Sequence, residues 1–100
     1  MSRIVEDNPR ESRIELRVDG ELVGWSEYLP AGDSVIVAHT EVDPRREGEG
    51  LGSALVRGTL DHIRTTGKSV IPTCAFTAAY IQRHPEYVDL VAPSLRAQFT

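Results

Sequence analysis

The alternation of polar and apolar residues in the first third of the chain predicts two antiparallel strands. From 13 to 18 the two classes alternate strictly, as they do in a strand with one buried face. An Asp-Gly pair follows, which is typical of the two-residue turn of a type I′ hairpin. This register sets Leu16 opposite Val23 and Ile14 opposite Trp25, so we expect the two strands to share one apolar face.

The middle of the chain predicts a strand–helix–strand unit. Residues Ser34–Val42 are rich in β-branched side chains, which favours a strand buried on both faces. Helical spacing begins at Ser53, and Gly67 ends it. A strand pattern returns over Ser69–Cys74, where Pro72 indicates an edge strand or a strand splayed from its neighbour.

The remaining segments complete the predicted architecture. A second helix is predicted over Ala75–Arg83, and the His-Pro pair that follows ends it. The first ten residues are polar and are interpreted as a lead-in. The order strand, strand, strand, helix, strand, helix indicates an α/β (α+β) fold with an antiparallel front half and a parallel crossover behind it. One hundred residues are enough for a single domain over 1–100.

Composition and charge exclude several classes of function. The chain carries 11 Lys+Arg against 15 Asp+Glu, a net charge of −4, which argues against nucleic acid or anionic lipid as a partner. No apolar run is long enough for a membrane span. A single cysteine fits a reducing compartment, so we expect a cytoplasmic protein. The three His and one Cys show no zinc-ligand spacing, so no metal is expected.

A glycine-rich loop between the third strand and the first helix carries the candidate chemistry. Residues 45–53 read Arg-Arg-Glu-Gly-Glu-Gly-Leu-Gly-Ser, with three glycines at alternate positions. Backbone N–H groups in such a loop can approach an anion, and the helix that begins there adds the positive end of its dipole. The loop is neither a Walker motif nor a dinucleotide fingerprint. A flexible strand-to-helix connection would have the same composition.

Four motifs in order along the chain resemble the GCN5-related N-acetyltransferases, whose central loop holds coenzyme A. They are His39-Thr40-Glu41-Val42, the glycine loop, Ile71-Pro72-Thr73-Cys74 and His84-Pro85-Glu86-Tyr87. Together they are similar to a minimal branch of that family, roughly a hundred residues long, with a C-terminal His-Pro-Glu-Tyr motif. The resemblance spans about residues 13–91. It implies a mixed sheet and acetyl transfer from acetyl-coenzyme A to an amine.

The resemblance also implies which residues hold the coenzyme. They are Val42, Gly48, Glu49, Gly50, Leu51, Gly52 and Ser53. The Arg or Gln that the family has at the first position of its loop motif falls on Glu47 here, if Gly50-Leu51-Gly52 is the matching glycine pair. Only Arg45 and Arg46 would then compensate the charge of the pyrophosphate.

Cys74 and His39 are the candidate catalytic residues. A thiol at the start of a helix is activated, so Cys74 would carry the acetyl group transiently; alternatively, the amine attacks directly with His39 as the base. The structural alternatives are a buried inert cysteine and a core histidine on the face of Val35 and Val37.

The acceptor is not specified by the sequence. It would be a small-molecule amine, a protein lysine or a protein N-terminus. Two other functions stay open: a non-catalytic module that binds coenzyme A or senses acyl groups, and a protein-interaction domain in which the glycine loop is only a connector.

Overall fold

In the computed structural model, which describes residues 2–99, five strands form one mixed sheet. In chain order and in space they are β1 (Arg3–Asn8), β2 (Arg13–Val18), β3 (Glu21–Ala31), β4 (Ser34–Val42) and β5 (Ser69–Pro72). The first four pair antiparallel with their neighbours, whereas β5 runs parallel to β4. The predicted α/β (α+β) mixed sheet is confirmed.

Two helices and three short 3-10 segments complete the fold. Helix α1 (Leu51–Thr65) connects β4 to β5, and helix α2 (Ala75–Arg83) follows β5 with the predicted bounds. Helix α1 begins two residues before the predicted start, and Gly67, in the left-handed conformation, follows its end. The 3-10 segments are Pro44–Arg46, Pro85–Leu90 and Pro93–Phe99.

The helices form one layer on one face of the sheet. The buried apolar residues of α1 belong to two core clusters. One cluster lies against β2 and β3. The other lies against β4 and β5 and also includes residues of α2 and of the chain after it. Within residues 2–99 no helix covers the opposite face, and Ile4 and Leu29 there are 51% and 56% exposed. We call this second surface the open face; around the end of β4 it carries Trp25, Glu27, His39 and Glu41.

The segment predicted as a polar lead-in is instead the edge strand β1. It pairs with β2 along its whole length, and Tyr28 donates a hydrogen bond to Asp7 at 2.6 Å. Burial, together with this hydrogen bond, raises the pKa of Tyr28 to about 12. β1 also lies directly against α1, because a Cβ atom at Gly58 would lie 2.7 Å from Cγ1 of Val5.

The hairpin of β2 and β3 has the predicted turn but a different register. Both turn residues have positive φ, 51° and 86°, as a type I′ turn requires. A bulge then shifts the pairing, so that Leu16 lies opposite Gly24 and Glu15 lies opposite Trp25. The predicted pairs of Leu16 with Val23 and of Ile14 with Trp25 are therefore wrong, because one extra residue of β3 is inserted.

Glu15 is a buried carboxylate on the outer side of β2. It is 3% exposed and accepts hydrogen bonds from Asn8, Arg13 and Arg17. The hydrogen bond from Asn8 lowers the pKa of Glu15, the two guanidinium groups lower it further, and burial opposes them. This network binds β1 to β2 on the side without helices.

A second bulge, at Ala38, decides which side chains of β4 face the helices. Glu27 pairs with His39 and Tyr28 pairs with Val37, so Ala38 is an extra residue. Without it His39 would share the buried face of Val37, as the sequence predicted. Instead the His39 side chain is 53% exposed, so both that prediction and the prediction of a strand buried on both faces are wrong.

Beyond the bulge, β4 separates from β5. Their pairing ends where Val37 lies opposite Pro72, and the chain then turns into α2. The N–H of Cys74 and the hydroxyl of Thr73 both donate to the carbonyl of Val37, at 3.0 and 3.3 Å. Since β5 is the last strand of the sheet, the prediction that Pro72 marks an edge strand is confirmed. Residues 38–42 of β4 have an open edge on the side of β5.

Among residues 2–99, no helix combines the length and the apolar character that a membrane crossing needs.

Candidate functional site

The first turn of α1 presents backbone donors to solvent. Gly48 and Gly50 have φ of 89° and 73°, a left-handed conformation that side chains other than glycine rarely adopt. The first helical hydrogen bond runs from the N–H of Ala54 to the carbonyl of Gly50, so the N–H groups of residues 51–53 have no acceptor in the helix. No side chain caps this end and no acidic residue lies in the first turn. The geometry suits an anion.

Phe76, on α2, packs against the start of α1. A Cβ atom at Gly52 would lie 2.9 Å from Cζ of Phe76, so only glycine allows the ring this close. The Phe76 side chain is nevertheless 45% exposed. Phe76 was not among the predicted site residues; a large apolar residue in the first turn of the predicted second helix was the available signal.

A cleft of about 580 Å³, which we call the loop cleft, opens at this point. It is lined by Val42, Asp43, Pro44, Arg46, Glu47, Gly48, Gly50, Leu51, Gly52, Ser53 and Phe76. The structure thus brings together every predicted coenzyme-binding residue except Glu49. The carboxylate of Glu49 instead forms an ion pair with Arg46, at 3.1 Å between Oε1 and Nη2.

The two arginines expected to compensate a bound anion already have partners. Nη2 of Arg45 lies 2.7 Å from Oδ2 of Asp43, and the hydrogen bonds from Arg45 lower the pKa of Asp43 to about 2. Arg46 pairs with Glu49 and lies 3.8 Å from Oε2 of Glu21. The loop cleft therefore relies on its backbone N–H groups more than on these two side chains.

Cys74 lies at the N-cap of α2, on the helix side of the sheet. Its thiol donates to the hydroxyl of Thr40 at an Sγ–Oγ1 distance of 3.7 Å. Burial alone would raise the pKa of this thiol. The backbone N–H of Thr77, the Thr40 and Thr77 hydroxyls and the N–H of Phe76 are placed to donate to the ionised sulfur and outweigh burial, so the pKa of Cys74 is below its ordinary value. The arrangement favours the thiolate.

The hydroxyl of Thr77 is the second group beside the Cys74 sulfur. Thr77 is 1% exposed, and its Oγ1 has no hydrogen-bond partner among the described residues. A buried hydroxyl without a partner costs free energy, and the adjacent Cys74 sulfur becomes an acceptor for it when the thiol ionises. Neither Thr40 nor Thr77 was among the predicted site residues; for Thr77, a Thr three residues after a helix-start cysteine was the available signal.

His39 lies apart from Cys74. Its Nε2 is 3.7 Å from Oε1 of Glu41, and both side chains are more than half exposed on the open face. Among the described residues, no hydrogen bond joins His39 to Cys74. The two predicted catalytic residues therefore flank the bulge of β4 from opposite faces of the sheet.

A second groove, of about 570 Å³, runs along the open face beside the end of β4. Trp25 and Glu41 line it, and it shares Val42, Asp43 and Pro44 with the loop cleft. The end of β4 thus separates two openings, one on each face of the sheet.

Two residues of the His84-Pro85-Glu86-Tyr87 motif make side-chain contacts with the helices. The ring of His84 stacks on Tyr80 with 4.1 Å between centroids, and the hydroxyl of the buried Tyr87 donates to Asp61 at 2.7 Å. Over residues 2–99, no group of three or more His, Cys, Asp or Glu side chains is arranged to hold a metal ion.

Comparison with known proteins gives one family match. A family model described as "GCN5-related N-acetyl-transferase" matches residues 13–90. Among curated proteins, the mycothiol acetyltransferase of Nocardia farcinica (strain IFM 10152) is 49% identical over 43 residues, which are 42% of this chain. The chain spans 14% of the length of that relative.

Solved structures share the fold. A GCN5-like protein from Staphylococcus aureus, determined by NMR, superposes with a TM-score of 0.66 at 18% identity, over 89% of this chain and 87% of its own. The N-acetylglutamate synthase of Neisseria gonorrhoeae, complexed with coenzyme A and N-acetyl-glutamate, gives 0.58 at 18% identity, over 95% of this chain and 26% of its own. At these identities the likeness concerns the fold alone.

Proposed function

Because the chain belongs to the family of GCN5-related N-acetyltransferases, we propose that it transfers the acetyl group of acetyl-coenzyme A to an amine. The observation that carries this proposal is the uncapped first turn of α1, which opens into the loop cleft beside the unpaired edge of β4. A pyrophosphate needs such donors, and an extended amide-bearing arm needs such an edge.

The residues of the loop cleft fit the two parts of coenzyme A. The N–H groups of residues 51–53 bind the pyrophosphate, and the hydroxyl of Ser53 adds a donor. Residues 38–42 of β4 hydrogen-bond the amides of the pantetheine arm, as an added strand would. Phe76 covers the arm from the side of α2. This path leads from the loop towards Cys74, which lies where β4 and β5 separate.

Acetyl-coenzyme A supplies an activated thioester. The Cys74 thiolate attacks the acetyl carbon, the bond from that carbon to the coenzyme sulfur breaks, and coenzyme A leaves as a thiolate that takes up a proton. The amine nitrogen then attacks the acetyl-cysteine and loses a proton, and the Cys74 thiolate is released. Thr40 and Thr77 support both steps by donating to the thiolate.

Direct transfer is the competing route. Here the amine attacks the thioester without Cys74, and a base removes its proton. His39 and Glu41 suit that role, because they lie 3.7 Å apart on the open face, next to the groove that shares Val42 with the loop cleft. In this route we propose that the acceptor amine, a small molecule or a protein lysine or N-terminus, approaches from the open face.

Mass spectrometry of the protein incubated with acetyl-coenzyme A tests the proposal. Native spectra report bound coenzyme, and denaturing spectra report a covalent acetyl group. We expect both, with the acetyl group on Cys74 and absent from Cys74→Ala. Absence of bound coenzyme contradicts the assignment of the loop cleft and leaves the protein-interaction domain as the alternative.

Turnover with a panel of primary amines and lysine peptides separates the remaining cases. Acetylated amine from wild type and none from Cys74→Ala supports the covalent route, whereas equal turnover by both overturns it in favour of direct transfer. Bound coenzyme with no acetylated amine in the whole panel supports a non-catalytic coenzyme A-binding or acyl-sensing module. The cytoplasmic location and membership of a branch marked by the His-Pro-Glu-Tyr motif stay predictions.

A further inference from the structure

A second cleft lies on the other side of the first turn of α1. It has a volume of about 390 Å³ and is lined by Arg3, Gly50, Ser53, Ala54, Arg57, Tyr80 and His84. We call it the back cleft. It shares Gly50 and Ser53 with the loop cleft, so a ligand held by the first turn of α1 can extend from one cleft into the other.

The back cleft concentrates positive charge on a chain whose net charge is −4. Arg57 lies one helical turn after Ser53 on the same face of α1, and within residues 2–99 its guanidinium has no hydrogen bond or ion pair. Arg3 donates from Nη2 to the carbonyl of Glu49 at 2.9 Å, a contact that positions it without neutralising it.

The carboxylates near the back cleft contact residues other than Arg3 and Arg57. The carboxylate of Glu49 pairs with Arg46, and Glu86 lies 3.7 Å from Nδ1 of His84 at the rim. Arg3 and Arg57 are thus two cations beside a helix N-terminus with their charge uncompensated by a carboxylate in the described part of the chain. In the loop cleft, by contrast, Arg45 and Arg46 are paired with carboxylates.

The strand that the sequence analysis missed builds this site. Arg3 is the first residue of β1, and β1 is held against α1 by the close contact of Val5 with Gly58. That contact fixes where the strand crosses the helix. The N-terminal strand therefore has a ligand-binding consequence as well as a structural one.

We propose that the back cleft binds the 3′-phosphate of coenzyme A, with Arg3 and Arg57 as its ligands. The inference rests on the proposed function, in which the pyrophosphate lies on the first turn of α1. A phosphomonoester one ribose away from that pyrophosphate is dianionic and accepts bidentate hydrogen bonds from guanidinium groups. One helical turn, about 5 Å, separates Ser53 from Arg57 and is comparable to the span of a ribose.

Dephospho-coenzyme A, which lacks only the 3′-phosphate, is the probe that tests this site. Isothermal titration of wild type with both compounds should give a dissociation constant about tenfold lower for coenzyme A, and the ratio should shrink as salt is added. Arg57→Gln and Arg3→Gln should each reduce the ratio, and the double variant should bring it to about one with the affinity for dephospho-coenzyme A unchanged. Arg57→Lys should keep part of the preference.

Arg10→Gln is the matched control. It removes the same charge from the turn between β1 and β2, at the far end of β1, and should leave the ratio as in wild type. Equal binding of both compounds by wild type overturns the inference while leaving the coenzyme site in place. A preference that survives the double variant also overturns it, and binding of neither compound overturns the proposed function itself. Thermal melting of each variant confirms that it is folded.

Discussion

Replacing Thr77 by valine should make the protein more stable and its thiol less reactive. Among residues 2–99 the buried Oγ1 of Thr77 has no hydrogen-bond partner while Cys74 is a thiol, yet the same hydroxyl favours the Cys74 thiolate. Valine has nearly the same shape and removes only the hydroxyl. The two effects come from one atom and have opposite consequences for the folded protein and for its chemistry.

Both magnitudes follow from the environment of this hydroxyl. A hydrogen bond to a charged group contributes about 1.5 kcal/mol at the low end, so its loss reduces the thiolate fraction about tenfold at pH values below the thiol pKa of both proteins. Removing an unsatisfied buried hydroxyl should raise stability by about 1 kcal/mol, which shifts the midpoint of thermal unfolding by about 4 °C in a domain of this size.

The pH dependence has a defined sign. Because the folded state lowers the pKa of Cys74, thiolate stabilisation contributes to folding above the ordinary pKa of a cysteine and is lost as the pH falls through the lowered value. The stability advantage of Thr77→Val should therefore be full below the lowered pKa of Cys74, and should shrink as the pH rises through that pKa towards the ordinary value of a cysteine.

Alkylation by iodoacetamide across a range of pH measures the thiolate directly, without any coenzyme. Thr77→Val should react about tenfold more slowly than wild type at pH values below the thiol pKa and equally fast in strong alkali, whereas Thr77→Ser should follow wild type. Thr59→Val is the control, since Thr59 is also buried and helical but donates to Leu55 on α1. Unchanged alkylation rates in a folded Thr77→Val protein would refute the role given to this hydroxyl, and a loss of stability would show that it has a partner.

Three further changes test other parts of the structure. Gly58→Ala should lower stability by about 1–3 kcal/mol in urea unfolding, because its Cβ would collide with Val5, and Val5→Ala should restore part of the loss; additive effects would contradict direct contact. Glu15→Gln should destabilise the protein at pH 7, and the difference should vanish as the pH falls well below 4.5, since the lowered pKa of Glu15 contributes stability only above that range; a constant difference would exclude the charge as its cause. Gly50→Ala should cost about 1–2 kcal/mol and weaken coenzyme A binding, with Gly50→Asn less affected, because the strain lies in φ and no atom lies within 4 Å of the added Cβ; equal stability of all three proteins would remove this explanation.

The local patterns that the sequence carries explain why so much of the fold was predictable. Glycine and proline mark the ends of α1 and α2, and both helices were assigned from them together with apolar spacing. The glycine loop was recognised because its backbone conformation depends on residue type. These features depend on near neighbours in the chain, so the sequence alone reports them.

What the sequence did not report depends on distant contacts. β1 has only two apolar residues, and its pairing with β2 and its contact with Gly58 become visible only in three dimensions. The two bulges leave no signal in the alternation of residues, so the faces of Trp25 and His39 were assigned wrongly. The groups around the Cys74 thiol were missed for the same reason, since Thr40 reaches it from β4.

The bulge of β4 also has a genetic consequence. Ala38 is exposed, so most substitutions there should be tolerated. Loss of its codon is different, because the four residues after it would exchange faces: His39 would turn inward and Thr40 would leave the Cys74 thiol. We therefore expect deletions at position 38 to be selected against more strongly than substitutions. The number of residues in β4 matters here, whereas the type of side chain at position 38 does not.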